Sequence, residues 1–321
     1  MSTMDGAPIF SLVVPVYRNE ASLPELIPAL AALDERMQGR LEAVFVVDGS
    51  PDRSAEVLRR ELGRARFRAK LLVLSRNFGS FAAIRAGLEA GTGPFFGVMA
   101  ADMQEPPELV LSFDEKLRGG DVEVVIGTRA GRDDPFLSRA GSRVFWGLYR
   151  SLVQREIPKG GVDVFACTAE IRDALLGMEE ANTTLVGLLF WLGFRRAEVG
   201  YRRLPRRHGR SGWSAARKLR YLLDSTFAFS DLPIRCLSLV GILGISASLL
   251  LGGVVLAFKL AGRISVPGYT ATVLTVMFFS GLNSLGIGLV GEYVWRTFEN
   301  TKRRPGFVVA RREDFPPEGQ R

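Results

Sequence analysis

Two stretches without a single charge dominate the last third of the chain. Cys236 to Phe258 and Val266 to Gly291 contain no Asp, Glu, Lys or Arg. Each exceeds the ~20 residues a helix needs to cross a bilayer core. The connecting loop, Lys259 to Ser265, is too short to hold a domain. The pattern predicts a transmembrane hairpin at about 236–258 and 266–291, against the alternative of a buried soluble helix pair. Arg217, Lys218, Arg220 and Arg235 flank it on one side, and Arg296, Lys302, Arg303 and Arg304 on the other, while the loop has only Lys259 and Arg263. The excess of basic residues outside the hairpin places both flanks in the cytoplasm, with the large N-terminal part. The expectation is an integral protein of the inner or plasma membrane with both termini cytoplasmic. Gly281, Ser284 and Gly288 follow small-residue spacing beside Asn283, which predicts a homo-oligomer formed through the hairpin.

The first half has a different rhythm. Short apolar runs, Ile9 to Val16, Glu42 to Asp48, Ala69 to Leu74, Phe95 to Ala101 and Val122 to Gly127, read as strands. Helical patterns lie between them, at Leu23 to Met37, Glu56 to Leu62, Ser80 to Ala90 and Pro107 to Leu117. Strands alternating with helices predict an α/β fold, a Rossmann-like mostly parallel sheet covered on both faces. No Gly-x-Gly-x-x-Gly follows the first strand and no Walker-type Gly-Lys-Ser/Thr occurs, which disfavours dinucleotide oxidoreductases and P-loop enzymes. A single histidine, His208, argues against a zinc site or a histidine-based triad. Cys167 and Cys236 have no metal-type spacing. Met1 to Ala7 is short and polar, so no signal peptide is expected.

The strand Phe95 to Ala101 runs into Asp102-Met-Gln-Glu-Pro-Pro107. A carboxylate and an amide therefore emerge at the carboxyl end of a strand, the edge where open α/β sheets bind ligands. Hard oxygen ligands at this spacing suit Mg²⁺ or Mn²⁺, with further oxygens from a bound diphosphate. The plainer reading is a helix start whose acids complement its dipole. The net charge of +8 points to anionic partners. Basic residues crowd 194–221, among them Arg195, Arg196, Arg202, Arg203, Arg206, Arg207 and Arg210, just before the first apolar stretch. Trp213, Leu219, Leu222, Leu223 and Phe227 could form the apolar face of an interfacial helix there. Such a flank anchors a protein to anionic lipid. Its juxtamembrane place, with no recognition motif, excludes nucleic acid as a partner.

Five pieces in order, Pro15-Val-Tyr-Arg-Asn-Glu20, Val47-Asp48-Gly-Ser-Pro-Asp52, Asn77-Phe-Gly79, Ala101-Asp-Met-Gln-Glu-Pro-Pro107 and Gly127-Thr-Arg129, resemble the family 2 inverting glycosyltransferases. More closely, the chain resembles the dolichyl- and polyprenyl-phosphate glycosyltransferases that end in two membrane helices. The likeness covers roughly residues 8–305. It implies a GT-A catalytic domain over 1–200, basic juxtamembrane helices over 201–233, the hairpin over 234–295 and a basic cytoplasmic tail over 296–321.

By the same resemblance, Pro15, Tyr17, Glu20, Asp48, Asn77, Gly79 and Ala101 would line the nucleotide-sugar pocket, with Asp48 facing the base. Asp102 and Gln104 would hold Mg²⁺ or Mn²⁺ on the donor diphosphate. Arg129, with Ser138 and Arg139, would take the phosphate of the lipid acceptor. Asp163 would stand near the reacting sugar, so Asp102, Asp163 and Arg129 form the implied catalytic set. The chain departs from the pattern at three places. Ala100 stands where the family commonly has the first Asp of Asp-x-Asp, Val47 replaces the first of two acids, and Phe165 stands where a basic residue usually follows the Asp163-type carboxylate. Gln-x-x-Arg-Trp, the mark of processive polysaccharide synthases, is absent. The implied function is transfer of a sugar, from a UDP-sugar by expectation, to polyprenyl phosphate with inversion. Alternatives are a catalytically impaired relative that binds polyprenyl phosphate, motivated by Ala100 and Val47, and a glycosyltransferase with another acceptor.

Overall fold

The computed structural model describes residues 8–131, 147, 149–151, 156–158, 161–180, 183–205, 207, 215–262 and 268–317. Within them the amino-terminal half alternates as its sequence dictates: β1 (Phe10–Val16), α1 (Leu23–Arg36), β2 (Leu41–Val47), α2 (Ser54–Leu62), β3 (Arg68–Leu74), α3 (Ser80–Ala90), β4 (Phe95–Val98), α4 (Leu109–Arg118) and β5 (Val124–Gly131). Then come β6 (Phe165–Thr168), α5 (Ala169–Gly177), α6 (Leu185–Trp191), β7 (Arg196–Arg202), α7 (Ala215–Phe229), α8 (Leu232–Leu260), α9 (Tyr269–Thr301) and β8 (Val309–Phe315).

Eight strands among the described residues form one sheet, ordered β7-β5-β6-β4-β1-β2-β3-β8. The β1, β2, β3 and β4 pairings are parallel, whereas β6 runs antiparallel to both β4 and β5, and β8 antiparallel to β3. The mostly parallel expectation thus becomes a mixed sheet, with β6 and β8 as the two reversed strands. Strands in its middle are buried on both faces. Leu12, Val14, Ala43 and Phe45 pack with α1, α2 and α4, while Val13, Val44 and Val46 pack with α3, α5 and α6. A strand enclosed on both sides reads as a continuous apolar run, which is why these were visible in the sequence.

Residues 309–315, read from the sequence within a basic tail, form the sheet's outer strand against β3. Arg59 of α2 clamps it, donating from Nε and Nη2 to the Glu313 carboxylate at 2.7–2.9 Å. The chain therefore leaves the sheet through α7 and returns to it after α9.

The expected span 236–258 lies within α8, and residues 269–291 of the second expected span lie within α9. Among the described residues no single helix is long and apolar enough to cross a membrane. The bent pair Tyr221–Phe229 and Leu232–Gly244, broken at 78°, meets the length and composition test together. Both long helices expose large aliphatics, including Leu239, Leu250 and Leu251 on α8 and Leu285, Ile287 and Val290 on α9. The small residues divide: a Cβ at Gly286 would lie 3.8 Å from Leu237 of α8, whereas at Gly281 and Gly288 it would meet open space. Arg296 ties α9 to α7, donating to Asp224 at 2.9 Å.

Candidate active site

The carboxyl ends of β1, β2 and β4 gather the predicted residues along one edge. At the end of β1 the chain turns sharply: Arg18 takes φ 57°, its amide donating to Ser50 Oγ at 2.8 Å. Pro15 lies within β1 and Tyr17 is exposed. Glu20 accepts from the Arg53 amide and Nε at 3.1 and 3.0 Å. With Asp52 and Arg53 this turn borders a cleft of about 700 Å³ that also reaches Arg60 of α2.

Asp48 is spent differently from the expectation. It is buried, and its two carboxylate oxygens accept from the Phe78 and Gly79 amides at 2.7 and 2.8 Å, while Asn77 Nδ2 donates to its carbonyl at 3.2 Å. Asp48 thereby fastens the Asn77–Gly79 loop to β2 instead of offering its carboxylate outward to a base. Gly49 makes the approach possible. It has φ 55°, and a Cβ there would lie 2.3 Å from backbone atoms of Arg76 and Asn77.

The acidic turn follows β4. Ser22 Oγ holds the Ala101 carbonyl at 2.7 Å, and Met103 takes φ 57°, a conformation uncommon outside glycine. The Gln104 amide donates to Asp102 Oδ1 at 3.3 Å. The Gln104 side chain turns toward the segment after β7, with Oε1 accepting from Arg203 Nη2 at 2.7 Å and Nε2 donating to the Leu204 carbonyl at 3.3 Å. Glu105 is only 1% exposed. Its Oε1 lies 3.7 Å from Arg203 Nε, and its Oε2 has no hydrogen-bond partner. Burial, then the charges of Asp102 and Asp163, push the Glu105 carboxyl up to about 7 despite Arg203 and Arg129.

Arg129, near the end of β5, is paired with Asp163, just before β6, through Nε and Nη2. Tyr201 of β7 donates to the same Asp163 oxygen at 3.2 Å. Burial, then Asp163 and Glu105, hold the Tyr201 phenol well above its usual range. Burial alone would lower the Arg129 pKa, but Asp163 outweighs it and raises it. The structure thus brings the implied Asp163 and Arg129 into one ion pair, coupled through Glu105 to the Asp102 turn. Ser138 and Arg139 lie outside the described residues. Sequence reading missed Tyr201 and the role of Arg203. The available signal was β7 itself, parallel to β5 and so ending on the same edge.

Asp102, a hard oxygen donor beside the partnerless buried Glu105 oxygen, fits a divalent ion of the Mg²⁺ or Mn²⁺ class. Among the described residues no three His, Cys, Asp or Glu side chains are grouped to hold a metal by themselves.

Residues 11–176, the stretch that builds this edge, match the Glycosyl transferase family 2 description. The chain belongs to glycosyltransferase family 2. It is 33% identical over 301 residues to the uncharacterized glycosyltransferase YkcC of Bacillus subtilis, covering 94% of this chain and 93% of that one. It is 35% identical over 309 residues to the undecaprenyl-phosphate 4-deoxy-4-formamido-L-arabinose transferase of Pseudomonas aeruginosa, covering 94% and 90%. Among solved structures it is similar to glucosyl-3-phosphoglycerate synthase from Mycobacterium tuberculosis in complex with Mn²⁺, UDP and phosphoglyceric acid, at TM-score 0.49 and 19% identity, over 70% of this chain and 80% of that one.

Proposed function

We propose that this family 2 glycosyltransferase is membrane-bound and transfers a sugar from a nucleotide sugar, a UDP-sugar in our reading, to polyprenyl phosphate with inversion. The observation that carries the reading is continuity. Residues 201–204, which contact the acidic turn and Asp163, run through a basic stretch into helices whose aliphatic side chains face outward. A site so built suits an acceptor that is anionic at its head and apolar along its length. The P. aeruginosa relative, named for transfer to undecaprenyl phosphate and similar over nearly the whole chain, supports the same acceptor class.

In this reading α8 and α9 form the membrane hairpin, with the catalytic domain and both termini cytoplasmic. The small-residue face of Gly281 and Gly288 suits a homo-oligomer. Asp102 would hold Mg²⁺ or Mn²⁺ on the donor, and the bound ion would neutralise the leaving diphosphate.

The chemistry of the acceptor fits the residues. A phosphate monoester has its second pKa at about 6 and is largely ionised near neutrality, so it needs no strong base. Asp163, tied to Arg129 and Tyr201, orients the acceptor or the sugar. Arg129 meets the incoming phosphate by exchanging part of its pairing with Asp163, a bidentate donor passing from one oxyanion to another. The attacking phosphate oxygen bonds to the anomeric carbon as the bond to the nucleoside diphosphate breaks. A single displacement inverts that centre.

The test is incubation of the full chain with labelled nucleotide sugars, Mn²⁺ and polyprenyl phosphate. Labelled lipid is the expected product. Label passing only to saccharide or protein acceptors, or only to water, would refute the acceptor assignment.

A further inference from the structure

Gln104 stands at a position that the resemblance gives to the metal, yet its side chain is engaged elsewhere. Four contacts join the acidic turn to the two residues after β7. Arg203 Nη2 donates to Gln104 Oε1 at 2.7 Å, Gln104 Nε2 to the Leu204 carbonyl at 3.3 Å, and the Leu204 amide to the Gln104 carbonyl at 2.8 Å. Arg203 Nε, itself buried without a hydrogen-bond partner, lies 3.7 Å from Glu105 Oε1. Both faces of the Gln104 amide and the adjacent buried carboxylate are thus addressed by one short segment. The turn they hold contains Met103 at φ 57°, a conformation that its surroundings must enforce.

We propose that Arg203 is a positioning residue of the donor turn, holding Gln104 inward as a strut so that Asp102, and not Gln104, is offered to the cation on the donor diphosphate. This rests on the donor reading above and deepens it. Arginine suits the task because its planar fork donates to the Gln104 oxygen from Nη2 while its delocalised charge lies along the Glu105 carboxylate, with Nε 3.7 Å away. The strut also places the turn under the control of the segment that leads to α7 and the apolar helices. Rigid support of this kind is what fixes the first contacts of a site.

Two measurements on the full chain in detergent test the strut. The first needs no ligand. Amide exchange over 102–105 should accelerate at least tenfold in Arg203→Met and by less in Arg203→Lys, with β1 unchanged. Equal protection in all three proteins would overturn the proposal. The second follows binding of Mn²⁺ in the presence of UDP by electron paramagnetic resonance. Arg203→Met and Gln104→Leu should each weaken binding about tenfold, and the double variant no more than either alone, because both remove one interaction. Additive losses, or loss of binding in Gln104→Leu with none in Arg203→Met, would make Gln104 a ligand and refute the strut. Failure of the unaltered chain to bind Mn²⁺ with UDP would count against the donor reading, while the exchange measurement still decides the strut.

Discussion

The central strands carry a buried glutamate near each end, and the two could hardly be treated more differently. At the amino end, Glu42 of β2 is fully enclosed. It receives Ser11 Oγ at 2.6 Å, the Thr92 amide at 2.7 Å, Thr92 Oγ1 at 3.0 Å and Lys70 Nζ at 2.7 Å. At the carboxyl end, Glu105 is as deeply buried, but its nearest cation is 3.7 Å away and one oxygen has no partner. Burial favours protonation of both. For Glu42 the bonds from Lys70, Ser11 and Thr92 outweigh it and hold the carboxyl below its usual range. For Glu105 the charges of Arg203 and Arg129 are too little to offset burial and the acids beside it, and the carboxyl rises to about 7. Burial sets what a charge would cost, and the partners decide whether that cost is met. The satisfied end is scaffold. The unsatisfied end is where a ligand has something to complete.

The largest break in this comparison is at the functional end. Asp102→Ala should lower transfer at least a thousandfold, about 4 kcal/mol of barrier, with the melting temperature nearly unchanged; turnover and melting on one preparation check it, and full activity in EDTA would contradict it. Lys70→Met should do the reverse. It strands Glu42 without its cation, so unfolding in urea should come earlier by about 3–5 kcal/mol, while turnover per folded molecule stays at the parent level.

Opposite pH responses sharpen the contrast. The Glu105 pKa rises from 4.5 to about 7 on folding, so its contribution favours the fold below 4.5 and is lost as pH rises through 7. Glu105→Gln, measured without metal, should match the parent near pH 4.5 and exceed it at pH 8 by up to ~3 kcal/mol. Glu42, held low, stabilises above its unfolded value and loses that contribution as the medium becomes acid, so Glu42→Gln should be most damaging at neutral pH. The smallest effect belongs to neither end. The Arg59–Glu313 pair is partly exposed, and Arg59→Ala should cost ~1 kcal/mol or less, read as a small shift in melting temperature.

The middle of this sheet was legible from residues alone. Leu12, Val14, Phe45 and Val46 lie in runs that only a doubly covered strand requires. The outer strands were not. Arg196–Arg202 and Val309–Phe315 are rich in charge, as edge strands that resist further pairing are, so no apolar run announces them. The same gap hid part of the site, because Tyr201 and Arg203 stand at the end of one of those strands. Motif order placed Asp102, Arg129 and Asp163 on one edge, but it could not say that Arg129 and Asp163 pair, or that Asp48 secures a loop. Those outcomes depend on contacts between residues 30 or more positions apart, as with Asp48 and Phe78.

The strand β8 also bears on how the molecule is made. Arg59 and Glu313, which clasp it in place, are 254 positions apart. Translation delivers the amino-terminal elements first. While α8 and α9 are still being synthesised, β3 has already emerged with its outer row of amides and carbonyls unpaired. Such a row is a template on which other nascent chains can add. A product stopped short of Val309 keeps that hazard permanently, whereas one that includes Val309–Phe315 removes it when β8 pairs with β3.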